Sequence, residues 1–420
     1  MSARLTPALF RHAALLLARL LAAKLPADQV VSTYFREHRQ LGHADRGFIA
    51  EAVFAVLRRK RSLAARCAGD ENPRRLLLAA LGCLFGLNRR ELDCVLSDAE
   101  GQWLARAKAL AVSELPAAVR CDLPDWLYDA LCAEYPADEV ATIAAALNQP
   151  APLDLRVNPL RGSRGQVLET LSAEGINARA CSYSPLGIRL AGKPAINRHR
   201  LFLDGSVEVQ DEGSQLLGFL VQPRRGEMVA DFCAGAGGKT LLLGGLMRSQ
   251  GRVYAFDVAE WRLARLKARL ARSGLSNVHP VLIDSERDPR VGRLAGKLDR
   301  VLVDAPCSGL GTLRRNPDLK WRQSAASVVE LGVRQRSILG AAARLVRAGG
   351  RLVYATCSLL DAENGQVVAD FLAEHGDFQV VPAQQVLAAQ GIEIDCGERL
   401  GLWPHRHGTD AFYAAVMERR

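Results

Sequence analysis

From about residue 206 onward, short β-branched, apolar runs alternate with longer amphipathic ones. Strands are predicted over 228–232, 253–257, 278–283, 300–304 and 351–356. Helices are predicted between and after them, over 239–248, 259–273, 324–347 and 362–374. That order argues for an α/β fold with a doubly wound, mostly parallel sheet, since parallel neighbours need crossover connections. In such sheets the loops at the carboxyl edge hold ligands and chemistry.

The chain has 420 residues, too many for one ordinary core. Residues 1–121 read as an all-α bundle, with Leu and Ala at three- and four-residue spacing over 10–24, 45–57 and 73–87. Residues 122–205 change character: a capped helix start at 124–131, a strand-like run at 153–158, a helix at 167–174, and short strands at 188–190 and 201–203. This reads as a small α/β module ahead of a third domain, 206–420. The basic run Arg58, Arg59, Lys60, Arg61 closes one bundle helix, where cations suit the helix dipole; RNA contact is the alternative.

Hydrophobic residues make up 49% and charged residues 24%, which places the chain among globular proteins. A net charge of +10 favours a polyanionic partner, nucleic acid first. The ten cysteines include no C-x-x-C pair, so no zinc site and no other metal is expected; reduced thiols in a cytoplasmic protein fit their irregular spacing. Residues 13–23 mimic a short signal sequence, but Arg19 interrupts the run and the pattern continues as an amphipathic helix. No uninterrupted apolar stretch reaches the length of a membrane span, and a monomer is expected.

The run Asp-Phe-Cys-Ala-Gly-Ala-Gly-Gly-Lys-Thr (231–240) follows the first strand of the third domain and opens a helix. A Walker loop fails because Cys233 stands where its first glycine belongs, and a dinucleotide fingerprint fails because Thr240 stands at its third. A nucleoside site remains. Asp257 ends the second strand and would accept from ribose hydroxyls; Asp284 follows the third and would meet an adenine amine. Each acid alone would pass for a surface or capping residue. A ribose site without a phosphate pattern suits S-adenosylmethionine.

Two Cys-Ser dipeptides end the next two strands: Cys307 in Asp-Ala-Pro-Cys-Ser-Gly (304–309) and Cys357 in Ala-Thr-Cys-Ser-Leu (355–359). Carbon 5 of a pyrimidine is a poor nucleophile. A thiolate added to carbon 6 makes it enamine-like, and a carboxyl on ring nitrogen 3 helps that addition. Asp304, Cys307 and Cys357 supply one carboxyl and two thiols, and residue chemistry alone leaves either cysteine as the nucleophile.

These motifs, with Cys-Ala-Gly-Ala-Gly-Gly-Lys-Thr (233–240), resemble the RsmB/Sun family of RNA (cytosine-5) methyltransferases. Further matches are 209–216, 314–322 and 402–410. The catalytic resemblance covers about 123–420; the N-terminal helices resemble a NusB-like RNA-binding domain, on pattern and on a stretch such as 31–39. The resemblance implies a Rossmann-like class I methyltransferase domain acting on small-subunit (16S) ribosomal RNA. It implies Cys357 as nucleophile, Cys307 in product release and Asp304 at the base edge and near the donor. It implies donor binding by Cys233, Ala234, Gly235, Ala236, Gly237, Gly238, Lys239, Asp257, Asp284 and Asp304. Gly235 and Ala236 depart from the usual Ala/Val-Pro, which is expected to loosen the loop, and Ala411 stands where glycine is usual.

Directly after the first cysteine loop, Arg314, Arg315, Lys320 and Arg322 are candidates for phosphate contacts, with Trp321 packing or stacking; that placement favours substrate contact over a merely solvated loop. Two other functions stay open: a noncatalytic RNA-binding assembly factor with a relic fold, and a DNA cytosine-5 methyltransferase. In either enzyme the target base must be unpaired or flipped out.

Overall fold

The structure is a computed structural model and describes residues 5–420. It contains two compact units, residues up to 150 together with 312–325, and 151–311 together with 326–420.

The first unit is helical. Thr6 caps the helix Pro7–Ala22 by accepting from Leu9 N, and Pro7 takes the first turn, where a missing N–H costs nothing. Its buried face, Phe10, Ala13, Leu16 and Leu17, packs against the helices His43–Arg58 and Pro73–Ala79. The predicted helix over 73–87 ends sooner, passing into a π-type turn at Ala80–Leu84.

The helices Asp125–Glu134 and Ala137–Leu147 belong to the first unit. They are tied there through buried Asp122, whose carboxylate accepts from Ser62 N and Ser62 Oγ, each at 2.8 Å, and through Asn148 Nδ2, which donates to Cys121 O at 2.9 Å.

The second unit holds two sheets. The smaller is antiparallel, in the order β2-β3-β1-β4, from β1 (Leu153–Val157), β2 (Ala178–Ala180), β3 (Gly187–Leu190) and β4 (Val207–Val209). The strand predicted over 201–203 is a helical turn instead, Arg200–Leu203, capped by the His199 ring, which accepts from Leu201 N. Asp154, Cys181 and Glu212 cluster beside this sheet, but Arg189 already forks onto Asp154 at 2.7 and 2.8 Å.

The larger sheet contains β5 (Met228–Asp231), β6 (Arg252–Asp257), β7 (Val278–Leu282), β8 (Leu298–Asp304), β9 (Val346–Thr356), β10 (Phe378–Val381) and β12 (Phe412–Arg419), with β11 (Arg399–Leu402) pairing only β12. Its order is β10-β12-β9-β8-β5-β6-β7. The five strands β7, β6, β5, β8 and β9 are parallel, as predicted, whereas β12 runs antiparallel to β9. The chain leaves β5 toward one edge and returns to β8 on its other side, so β5 and β8 flank a topological switch point. Among the described residues no helix is long and apolar enough to cross a membrane.

Candidate active site

The glycine loop leaves β5 at this switch point. Gly237 has φ +83°, and a Cβ there would lie 2.0 Å from Leu266 Cδ1, so only glycine fits the turn into the helix Gly238–Leu246. Asp257 at the end of β6 accepts from Gly235 N and Ala259 N, each at 2.8 Å. Two further ties hold the loop where proline is absent. Arg269 Nη1 donates to Ala236 O at 2.8 Å, and Arg156 Nη1, from β1, donates to Gly238 O at 2.5 Å. The loosening expected from Gly235 and Ala236 is thus opposed by two guanidinium groups. Glu208 on β4 orients the first of them, accepting from Arg269 at 2.9 Å and from Arg272 at 2.6 Å.

A cavity of about 540 Å³ opens beside this loop. Cys233, Gly235, Asp257, Asp284 and Asp304 line it, with Phe232, Ile283 and Ile338 as apolar wall. The size suits a nucleoside-bearing ligand, and apolar walls with a few convergent acids are what such a ligand needs. The Asp284 side chain is 91% exposed and stands at the rim, with Arg290 at 3.4 Å. Ala234, Ala236, Gly237, Gly238 and Lys239 do not line the cavity. Ala234, Ala236 and Gly237 shape the loop, and Lys239 reaches the cavity-lining Asp304.

Lys239 Nζ meets Asp304 Oδ2 at 2.6 Å. Burial alone would depress its ammonium, but the Asp304 charge and hydrogen bond, helped by Cys357, outweigh this and raise its pKa. Asp304 therefore faces the cavity and Lys239 together. Beneath them, buried Asp231 accepts from Thr240 Oγ1 at 2.7 Å. Burial pushes its carboxyl up to about 7, with Thr240 opposing and the Asp304 charge assisting.

That shift carries a pH signature. In the unfolded chain Asp231 ionises near 3.8, whereas the folded carboxyl holds its proton to about 7. Its stabilising contribution is therefore fully present below about pH 4 and lost as pH rises to about 7. The whole gap corresponds to about 4 kcal/mol. Asp231→Asn is expected to gain on the wild type by about 2–3 kcal/mol between pH 5 and pH 8 in denaturant unfolding. Parallel pH curves for the two proteins would contradict the assignment.

The two cysteine loops meet at the ends of β8 and β9. Cys307 Sγ and Cys357 Sγ are 3.3 Å apart, and Cys357 N lies 3.4 Å from Cys307 Sγ. Both cysteines are free and half-buried. The hydrogen bond to Cys357, burial, and the charges of Cys357 and Glu363 push the Cys307 thiol well up. Glu363 is a residue the sequence reading missed: fully buried, it accepts from Ser308 and Ser358, the residues following the two cysteines.

The arginine-rich loop departs from expectation. Lys320 is 1% exposed, and its ammonium donates to Arg58 O and to Asn148 Oδ1, each at 2.8 Å. Burial depresses that ammonium to about 7. Trp321 Nε1 donates to Leu57 O at 2.8 Å. Helix ends leave carbonyls unsatisfied, and these two side chains close the end of His43–Arg58. Lys320 is thus corrected from phosphate contact to internal cap, and of the two expectations for Trp321, packing or stacking, the bond to Leu57 O fits packing. Arg314 is buried as well, its carbonyl accepting from Arg58 Nη2 at 3.1 Å. Arg322 is exposed and pairs with Asp318 at 2.8 Å, and Arg315 is half-buried.

A glycine loop after β5, acids ending β6 and β8 and following β7, and an antiparallel β12 closing a parallel sheet define a Rossmann-like methyltransferase domain. The profile of the family described as "16S rRNA methyltransferase RsmB/F" matches residues 218–418, and that of its "ferredoxin-like domain" matches 123–197. A Synechocystis protein named "probable ribosomal RNA small subunit methyltransferase B" is 33% identical over 93% of this chain and 95% of its own length. The chain belongs to the RsmB/Sun methyltransferase family. In structure it is similar to a methyltransferase homologue from Pyrococcus horikoshii, with TM-score 0.63 and 28% identity over 74% of this chain and all of that one. NSun6 from the same organism, solved with SFG, shares the fold at TM-score 0.63 and 21% identity, over 70% of this chain and 98% of that one.

Proposed function

We propose that the protein transfers a methyl group from S-adenosylmethionine to carbon 5 of a cytosine in small-subunit ribosomal RNA, through a covalent cysteine–pyrimidine adduct. The observation that carries this reading is the pair of thiols 3.3 Å apart at the strand ends next to Asp304, a wall of the nucleoside-sized cavity. Bound S-adenosylmethionine would supply an electrophilic methyl group. Asp257 and Asp284 would hold its ribose and adenine, with Cys233 and Gly235 along the cavity.

Asp304 holds the base edge while the Cys357 thiolate adds to carbon 6. Carbon 5 then carries the electron pair that takes the methyl group. The carbon 5 proton leaves to a base, the double bond re-forms, and the Cys357 sulfur departs as thiolate. Cys307, poised against Cys357, assists that release. Arg322, exposed on the basic loop, and half-buried Arg315 would meet RNA in this reading. The protein acts as a monomer in the cytoplasm in this reading.

Bisulfite sequencing of ribosomal RNA from a strain lacking the protein tests the substrate; unchanged methylation at every cytosine contradicts it. Equal methyl transfer to DNA of the same sequence would favour the DNA enzyme, and lack of S-adenosylmethionine binding the noncatalytic factor. Asp257→Ala removes the acceptor of Gly235 N together with a ribose contact. The expected loss is about 1.5–3 kcal/mol, or roughly 10- to 100-fold in S-adenosylmethionine affinity by calorimetry.

A further inference from the structure

Glu363 lies in the short turn Asp361–Glu363 after β9. Four donors converge on its carboxylate. Ser308 N reaches Oε1 at 2.8 Å, and Gln335 Nε2 reaches the same oxygen at 3.0 Å. Ser308 Oγ and Ser358 Oγ both reach Oε2 at 2.5 Å. Gln335 also donates to Pro306 O at 3.0 Å, and the Glu363 carbonyl accepts from Tyr354 OH at 2.6 Å. One side chain therefore grips the residue after each cysteine, and its Gln335 partner grips the residue before Cys307. Removing a buried carboxylate strands every donor aimed at it.

We propose that Glu363 is a positioning residue that sets Cys307 against Cys357 and so governs the release half of the reaction. The inference rests on the covalent methyl-transfer reading above. Two of the four bonds to the carboxylate come from Ser308, so the loop carrying Cys307 depends on it most. The nearby negative charge also helps keep Cys307 in its thiol form. Addition by Cys357 needs neither effect, whereas expulsion of the Cys357 thiolate needs Cys307 in place.

The test uses the full chain, S-adenosylmethionine and transcribed small-subunit ribosomal RNA, with adduct read on denaturing gels. Glu363→Ala is expected to raise the standing adduct by about tenfold while S-adenosylmethionine affinity stays within about twofold. Glu363→Gln keeps the acceptor oxygen and restores most turnover. It also moves the pH profile of release to lower pH, since a lost negative charge lets Cys307 ionise more readily. Should the alanine variant not fold, the glutamine pH profile decides: an unshifted profile overturns the proposal. Wild-type release by Glu363→Ala overturns it alone, and so does absence of adduct in that variant while the wild type forms one. A wild type that forms no adduct and transfers no methyl group overturns the underlying reading as well.

Discussion

Cys357→Ala is expected to abolish the protein–RNA adduct and to lower methyl transfer by at least ~10⁴-fold, since removing a covalent nucleophile costs the whole pathway. Nothing else in the site can substitute at full rate. Cys307 lies 3.3 Å away, but burial and the Glu363 charge, both of which remain in the variant, still hold its thiol up. Alanine at 357 takes away the part of the suppression due to Cys357, so a faint residual adduct through Cys307 would still agree with the assignment. Incorporation of labelled methyl group and a denaturing gel read both quantities. If the Cys357 variant forms adduct at the wild-type level, the roles of the two sulfurs are reversed.

Cys307→Ala is expected to fail in the opposite way. Addition and methyl transfer proceed once, then the product stays bound to Cys357. In a burst experiment the first turnover should keep a rate within about tenfold of the wild type, while later turnovers fall by roughly 10²-fold or more. Approximately one adduct per active protein should accumulate and survive denaturation. Absence of accumulation, with turnover intact, would assign release to another group.

The parallel strands β5, β6, β8 and β9 were legible because each carries an apolar run that ends in a polar residue, Asp231, Asp257, Asp304 or Thr356, and burial on both faces demands such runs. The glycine loop, Asp257, Asp284, Asp304 and both cysteines followed from their places at strand ends. The last three strands were not legible. β12 runs Phe412–Arg419 with Ala414, Ala415, Val416 and Met417 all buried, so it shows no alternation, and β10 and β11 are only four residues each.

Glu363 and the basic loop failed for a common physical reason. Sequence reasoning places charge in solvent by default, which holds until tertiary contacts supply partners. Glu363 sits in a polar stretch that reads as a helix start, and its burial exists only because Ser308, Ser358 and Gln335 arrive from elsewhere in the chain. Lys320 reads as a phosphate ligand until the open end of His43–Arg58 claims its protons. The helix-ending run at 58–61 was visible; which side chain would close it was not.

The ties on the glycine loop bear on how this protein can be taken apart. β4 completes the small sheet by pairing β1, and a cut at 205/206 would tear it from its neighbour. The same cut removes Arg156 from Gly238 O and leaves Glu208 on a strand that has lost its β1 partner. A fragment beginning at 206 should therefore fold around a slack donor loop, and swapping the small sheet for a relative's should succeed only when Arg156 and Glu208 travel with it. The unit of exchange is larger than the unit that carries the chemistry.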